Sequence, residues 1–374
     1  MSSNGKKVLV SGASFAGLST AHWLSRLGYQ VTVVEIARGV REGGTAVDIK
    51  GDTVDIVRRM GLLDRIRAQR LSLKRWDMKN ELDVTERSLV LRGEGEPPSD
   101  DEFEIERTVL VNMLLDSVKD RVELVFGDSI TGLAESKDRI EATFARGSTR
   151  SFDLVLGCDG IHSVVRKIWF GAEAEYVHFL KQYFSITIVD ELLIERDTGQ
   201  MYNEPGRAVM LNAYKNKTDI VFAFACDDEI PYDYRDQEQQ RRIVAEQFTG
   251  RGWRTAELLA EVRGSRSFYF DKLCQVRMPA WTKGRVALVG DAGYSASPAA
   301  GMGGSLAING AAALADAMQR RDGDFELAFR DYDEQFRPFI DEVQAEVVRV
   351  GLEVLVPRTE EAIRARNART NAGF

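Results

Sequence analysis

The chain has 374 residues, 44% of them hydrophobic and 29% charged, with a formal net charge of −8. This is the profile of a globular protein, long enough for two or three domains around large cores. It has no long basic run, which argues against nucleic acid as a partner, and no stretch of ~18 apolar residues that would span a membrane.

Cys158, Cys226 and Cys274, like His22, His162 and His178, are too widely spaced for a disulfide framework or a metal cluster. Redox chemistry would have to come from a bound cofactor. The opening MSSNGKKVLVSG holds no apolar signal core, so the expected location is the cytoplasm.

In chain order, Lys6–Ser11 reads as a buried parallel strand, Ala16–Leu27 as a helix closed by Gly28, and Gln30–Glu35 as a second buried strand. Residues 53–69 read as one helix with Val54, Val57, Met60 and Leu63 on one face. Residues 72–105 alternate and contain Gly and Pro, which predicts irregular strands and a hairpin. Residues 107–118 are helical, and 121–156 hold short strands ending in the apolar run Phe152–Gly157. Over 171–275, runs such as YFSITIV, RAVMLNAY and DIVFAFAC predict a mostly antiparallel sheet, interrupted by one helix at about 236–248. Residues 285–290 return to a buried strand. A loop, an Ala-rich helix and a charged helical tail over about 324–370 follow. The expected fold class is α/β. A Rossmann-like dinucleotide-binding domain (1–170 and 276–323) receives a mostly antiparallel β-sheet substrate domain (171–275), and a helical region (324–374) ends the chain.

Three glycine-rich strand ends carry the chemistry. Gly12-Ala-Ser14-Phe15-Ala16-Gly17 lies between the first strand and helix, and Glu35 closes the second strand 18 residues after Gly17. Gly12 permits the tight turn and Gly17 permits close helix packing. The helix N-terminus favours a pyrophosphate, and Glu35 can accept hydrogen bonds from ribose hydroxyls. Ser14 replaces the usual second glycine and is small enough to keep the approach open. The second strand end is Gly157-Cys-Asp159-Gly160, followed by a short helix with Ser163 and Arg166. The third is Gly290-Asp291, from which a loop with Pro298 leads to Gly301-Met-Gly303-Gly304 and the Ala-rich helix. Unobstructed N–H donors at such a turn suit the negative charge of a reduced flavin, and Asp291 suits a flavin side chain or pyrophosphate.

With these motifs in this order, residues 6–355 resemble the class A flavoprotein monooxygenases, the para-hydroxybenzoate hydroxylase family. They are most similar to the branch of tetracycline-inactivating monooxygenases and antibiotic-tailoring hydroxylases. The resemblance implies bound FAD, NADPH or NADH as electron donor, and hydroxylation of an aromatic or polyketide-like substrate through a C4a-hydroperoxyflavin. It implies contacts to FAD from Glu35, Arg107, Asp159 and Asp291. In the segment Arg41–Asp48 it implies NADPH contact for Arg41 and FAD contact for Asp48. The bland alternatives are a surface ion pair for Arg107, a solvated Arg41, a turn or cap role for Asp48 and a structural helix cap for Asp159. Two departures stand out. Ala292-Gly-Tyr294 occupies the place of the family's frequent Ala-His, and Asn309-Gly310 the place of an acidic residue. Tyr294 reads equally as an active-site or a core residue. Phe184, Tyr202, Met210, Tyr214 and Phe222 are candidate substrate-lining residues, each with core packing as its alternative. The sequence assigns no catalytic acid or base. An FAD-dependent dehydrogenase or reductase on the same scaffold, a non-catalytic nucleotide-binding protein, and a monomer or homodimer all stay open, as does Baeyer-Villiger-type oxygen insertion.

Overall fold

The computed structural model describes residues 5–41, 43–93 and 99–368. Residues 94–98 of the expected hairpin region and 369–374 of the expected tail lie outside the described residues. Val8, Leu9 and Val10 are fully buried, which requires apolar cover on both faces of their strand. Lys7–Ser11 accordingly sits inside a six-stranded sheet, paired in parallel with Leu154–Gly157 on one side and Gln30–Glu35 on the other. Val286–Leu288 continues the sheet beside Leu154–Gly157, and Glu123–Phe126 beside Gln30–Glu35, again in parallel. The short edge strand Thr282–Lys283 is antiparallel. The helix Phe15–Arg26 packs against both Arg107–Val118 and Gly303–Arg320. Ala311, Ala312, Ala315 and Ala317 of the last of these are buried, as its composition foretold.

A second sheet of seven strands runs in the order Phe268–Val276, Val177–Val189, Lys217–Ala225, Arg207–Tyr214, Thr198–Glu204, Arg75–Lys79 and Thr85–Val90. One face carries Tyr183, Phe222 and Phe224 against the helices Gln237–Phe248 and Thr255–Gly264. On the other face, Phe184, Ala223 and Leu273 pack with Leu352, Leu355 and Val356 of the tail.

Three features differ from the sequence reading. The 53–69 helix is two helices, Asp52–Arg59 and Leu63–Ala68, because Gly61 takes φ +76° between them. The predicted face still turns inward: Val54, Val57, Met60 and Leu63 are all buried. The helix Thr255–Gly264 was not foreseen, although Leu258, Leu259 and Val262 are spaced for one. The 75–90 hairpin, assigned by sequence to the first domain, adds its two strands to the second sheet through a parallel pairing of Arg75–Lys79 with Thr198–Glu204. Partners over a hundred residues apart leave no local signal. The tail packs on its own chain. Phe325–Glu346 lies on Gly303–Arg320, and Glu360–Ala368 on Thr198–Glu204, where Arg366 reaches the Met201 sulfur at 3.2 Å.

Polar contacts tie the two sheets. His162 Nδ1 lies 3.1 Å from Glu173 Oε1, and Nε2 lies 3.8 Å from Asp271 in the large sheet. Lys167 and Arg166 face Glu173 at 3.0 and 3.8 Å. The carboxylates of Asp271, first, and then Glu173 push the imidazole pKa up to about 9. An unfolded histidine titrates near ~6.5. The stability this pair contributes is therefore complete below that pH and is lost as pH rises through the folded value. His162→Gln should lower the melting temperature most at about pH 6, with the gap to wild type closing by about pH 10. Thermal denaturation across that range checks it.

Candidate active site

Parallel pairing puts the carboxyl ends of Lys7–Ser11, Leu154–Gly157 and Val286–Leu288 on one edge of the sheet, so their three turns meet. Gly12, at φ +105°, lies so near the Cys158 carbonyl that a Cβ would strike it. A Cβ on Gly17 would strike the Gly12 carbonyl, and one on Gly290 would come within 2.9 Å of Ala16 Cβ. Two helices begin at this edge without a side-chain cap, Phe15–Arg26 after Ser14 and Gly303–Arg320 after Met302. The helix after the second turn is capped by Ser163. Uncapped first-turn amides beside residues with no room for a side chain fit the phosphates of a dinucleotide. Glu35 stands at the same turn, its carboxylate accepting from the amides of Ala13 at 2.8 Å and Ala37 at 2.9 Å.

Arg107 holds the second layer of the site. Its guanidinium donates to Ser14 Oγ at 3.0 Å and to the Arg41 carbonyl at 2.9 Å, and lies over the Phe15 ring. Burial, and next the charge of Arg41, lowers its pKa. Gly44, at φ +92°, lets the loop pass, since a Cβ there would sit 2.7 Å from Arg107 Cδ. Arg107 is thus no surface ion-pair residue. The exposed Arg41 side chain places its guanidinium over the Tyr269 ring, 5.0 Å from the centroid.

Asp48 is neither a turn nor a cap. It lies in the strand Val47–Lys50 opposite Glu104 of Glu102–Ile105, and Ser305 Oγ donates to its carbonyl at 2.7 Å. A Cβ on Gly301 would lie 3.6 Å from its carboxylate, and one on Gly304 would lie 3.4 Å from Phe15 and Val47. Gly303 faces open space. Pro298 opens a short turn whose preceding residue, Ser297, is held at φ +89°, a strained conformation of the kind that concentrates at functional sites. Asp291 keeps solvent access, and desolvation raises its pKa against the lowering effect of its hydrogen bond with Ser295. Burial likewise raises Asp48.

Two further acids join Asp48 here. Burial, and then Asp48 and Asp219, push Glu104 up to about 7, and burial pushes Asp219 of the large sheet to the same range. Tyr214 donates to Asp219 Oδ1 at 2.9 Å, while Oδ2 has no partner among the described residues. The signal for Asp219 was an acid inside the apolar run TDIVFAFA; its meaning depended on the opposing domain. Among the described residues, no three His, Cys, Asp or Glu side chains form a metal site.

Asp159 takes its structural alternative. It accepts from the amides of Val164 and Val165 at 2.9 and 3.1 Å and from Ser163 Oγ, closing the N-terminus of the helix Val164–Trp169. Arg166 is fully buried and donates to the Ala292 carbonyl at 2.8 Å, joining the second glycine turn to the third.

A family model described as FAD binding domain matches residues 6–321. The chain belongs to this family, the class A flavoprotein monooxygenases. A flavin-dependent monooxygenase of Legionella longbeachae is 34% identical over 94% of this chain and 90% of its own length. An uncharacterized protein of Mycobacterium tuberculosis (strain H37Rv) is 38% identical over 91% of this chain and 92% of its own. Among solved structures, the tetracycline destructases Tet(51) and Tet(55) superpose with TM-scores of 0.86 and 0.87 at 32% identity. They cover 97% and 99% of this chain and 95% and 96% of their own. The protein is an FAD-dependent monooxygenase. Among the described residues, no helix is long and apolar enough to cross a membrane.

The two departures of this monooxygenase from its family's pattern prove to be one feature. Tyr294 is buried among Trp281, Tyr332 and Phe336, and its hydroxyl meets that of Tyr332 at 2.9 Å. The same hydroxyl fills the space where a Cβ on residue 310 would go, so Tyr294 requires Gly310. Tyr294 is core. Asn309 accepts from Thr53 Oγ1 at 2.8 Å. Of the five proposed lining residues, Tyr202 and Phe222 belong to the helix-covered face of the large sheet and not to the cleft. Strand alternation puts Phe184, Met210 and Tyr214 on the opposite face with Ala208 and Ala223.

Gly310→Ala should lower the melting temperature by several degrees, about 1–3 kcal/mol of overpacking. Adding Tyr294→Phe should restore part of that loss, a non-additivity that a double-mutant thermal cycle measures. Arg107→Ala should weaken FAD retention roughly tenfold or more, and Arg107→Lys should not restore it, because an ammonium cannot bridge Ser14 and the 41–44 loop together. Flavin fluorescence released on dilution reads the effect.

Proposed function

We propose that this monooxygenase uses NADPH or NADH and O₂ to hydroxylate an aromatic or polycyclic small molecule held between the glycine turns and the large sheet. One observation carries the reading: a half-buried apolar patch, Ile186, Val221 and Met210, on the sheet face that carries Asp219, which is coupled through Glu104 to Asp48 beside the Gly301 turn. The similarity to two tetracycline destructases at 32% identity supports the substrate class.

FAD, when bound, supplies the redox chemistry with O₂. The chain's own residues bind, orient and exclude water. In this proposal Gly12, Ser14, Phe15, Ala16 and Gly17 present first-turn amides to the phosphates, and Glu35 accepts from the ribose. Arg107 fixes the loop that bears Arg41, and Asp291 faces the flavin side chain. The Pro298–Gly301 turn and the amides of Gly303 and Gly304, beside Asp48, would hold the ring system. Asp159 acts at one remove, by shaping the second glycine turn. Arg41, exposed over Tyr269, would contact the nicotinamide donor. The apolar patch keeps water from the reacting centre, which protects against uncoupled oxidation of the donor. One chain carries every group named, so a monomer suffices and a homodimer is compatible.

The test is NADPH and NADH oxidation by the FAD-loaded enzyme with tetracyclines, anthracyclines and simple phenols under labelled O₂. Substrate-stimulated donor consumption with one labelled oxygen in the product is expected. Stimulated consumption with unlabelled product would mean a reductase instead.

A further inference from the structure

The apolar patch on the large sheet is closed at both ends of its row by an arginine. Strand register places Tyr269, Ile186, Val221, Met210 and Met201 side by side across five strands. Ile186, Val221 and Met210 are half-buried, whereas Met201 is 2% exposed. Arg41 covers the Tyr269 end, its guanidinium 5.0 Å from the ring centroid. Arg366, in the helix Glu360–Ala368, covers the other end: its Nη1 lies 3.2 Å from the Met201 sulfur. Met201 is paired with Met210, one strand spacing away at ~4.8 Å, so this guanidinium stands as the end wall of the open patch.

Among the described residues three arginines are buried, Arg166, Arg241 and Arg366. Arg166 faces Glu173 at 3.8 Å and Arg241 faces Glu238 at 3.2 Å. Arg366 alone has no acid beside it among the described residues. Its Nη1 donates to the Val354 carbonyl at 3.1 Å as well as to the Met201 sulfur, and Nε and Nη2 donate to Asn367 Oδ1 at 3.2 and 2.8 Å. A guanidinium has five N–H groups, so one on Nη2 has no acceptor among the described residues, and all the acceptors present are neutral. Burial pushes its pKa down to about 10, which leaves it charged at neutral pH. Clipping the tail to Val354 and Asn367 does not need that charge. A cation held out of water with no anion beside it is costly, and an anion that enters the cleft offsets the cost. The planar fork of a guanidinium matches a carboxylate. We propose that Arg366 anchors a carboxylate carried at one end of the substrate, and so selects acid-bearing aromatic or polycyclic molecules over their neutral counterparts. This rests on the reading that Ile186, Val221 and Met210 are the substrate floor.

The experiment is equilibrium dialysis of two matched pairs against the FAD-loaded enzyme and its variants, with flavin content as the check on folding. The pairs are anthraquinone-2-carboxylate with its carboxamide, and para-hydroxybenzoate with para-hydroxybenzamide. Wild type should bind the acid of at least one pair about tenfold or more tighter than the amide. Arg366→Gln should abolish that preference by raising the Kd of the acid, with the amide staying within about threefold. Arg366→Lys, which keeps the charge and loses the fork, should retain part of the preference. If Arg366→Gln loses flavin, Arg366→Met replaces it, and the wild-type preference must still be present. Equal affinity for acid and amide in the wild type, or no binding of any of the four, overturns the proposal. So does a preference that survives Arg366→Gln, which would place the anchor elsewhere, and so does equal weakening of acid and amide, which would make Arg366 a tail clip only. Labelled oxygen in para-hydroxybenzamide as readily as in para-hydroxybenzoate, with no effect of Arg366→Gln, sinks the anchor and leaves the hydroxylase reading standing. An Arg366-dependent preference with no labelled oxygen in any product has the opposite meaning: the anchor holds and the hydroxylase reading fails.

Discussion

Everything at the candidate site hangs on the parallel addition of three segments that are remote in the chain. Lys7–Ser11, Leu154–Gly157 and Val286–Leu288 lie side by side and point the same way, so the turns that follow them emerge at one edge. Had any one been antiparallel, its glycine turn would lie at the opposite end of the sheet. The open edge of such a sheet is where this architecture holds its ligands, because helix N-termini and strand ends converge there. The burial of all three strands enforces the arrangement, since each must be covered on both faces.

That convergence leaves no spare volume. Gly12 touches the Cys158 carbonyl, Gly17 touches Gly12, and Gly290 approaches Ala16. Small residues here serve backbone approach as much as turn geometry. The tight layer is then locked by two arginines with different tasks. Arg107 stitches the 41–44 loop to Ser14, and the fully buried Arg166 joins the second turn to the third through the Ala292 carbonyl. Both give several hydrogen bonds from one planar group, which a lysine in the same place would not provide. The cleft is electrically divided as a result. Arg41 and Arg107 form one group, and Asp48, Glu104 and Asp219, whose pKa values burial raises, form another.

The pairing of Tyr294 with Gly310 shows how a local oddity in a sequence can have a tertiary cause. Neither residue explains itself, yet the phenol occupies the volume the glycine vacates. Gly199 and Trp76 repeat the principle on the large sheet, across a parallel pairing that spans more than a hundred residues. In each case a large side chain and a glycine form one packing unit, and reading either alone misleads.

The sequence by itself determined the opening strand, helix and strand, the helix beginning at Arg107, the antiparallel character of 171–275 and the three glycine turns. Those features follow from local periodicity, chain direction and backbone freedom, which a short window of residues contains. It also marked Arg107, Asp48 and the Gly301–Gly304 turn, although not what each touches. Only the tertiary structure decided that Asp159 caps a helix, that Tyr202 and Phe222 face away from the cleft, and that Glu104 and Asp219 belong with Asp48. It alone moved the 75–90 hairpin into the second sheet. The physical reason is common to all of these. A side chain's role depends on which face of its strand is covered and by what, and the covering segment lies far along the chain, where no local pattern records it.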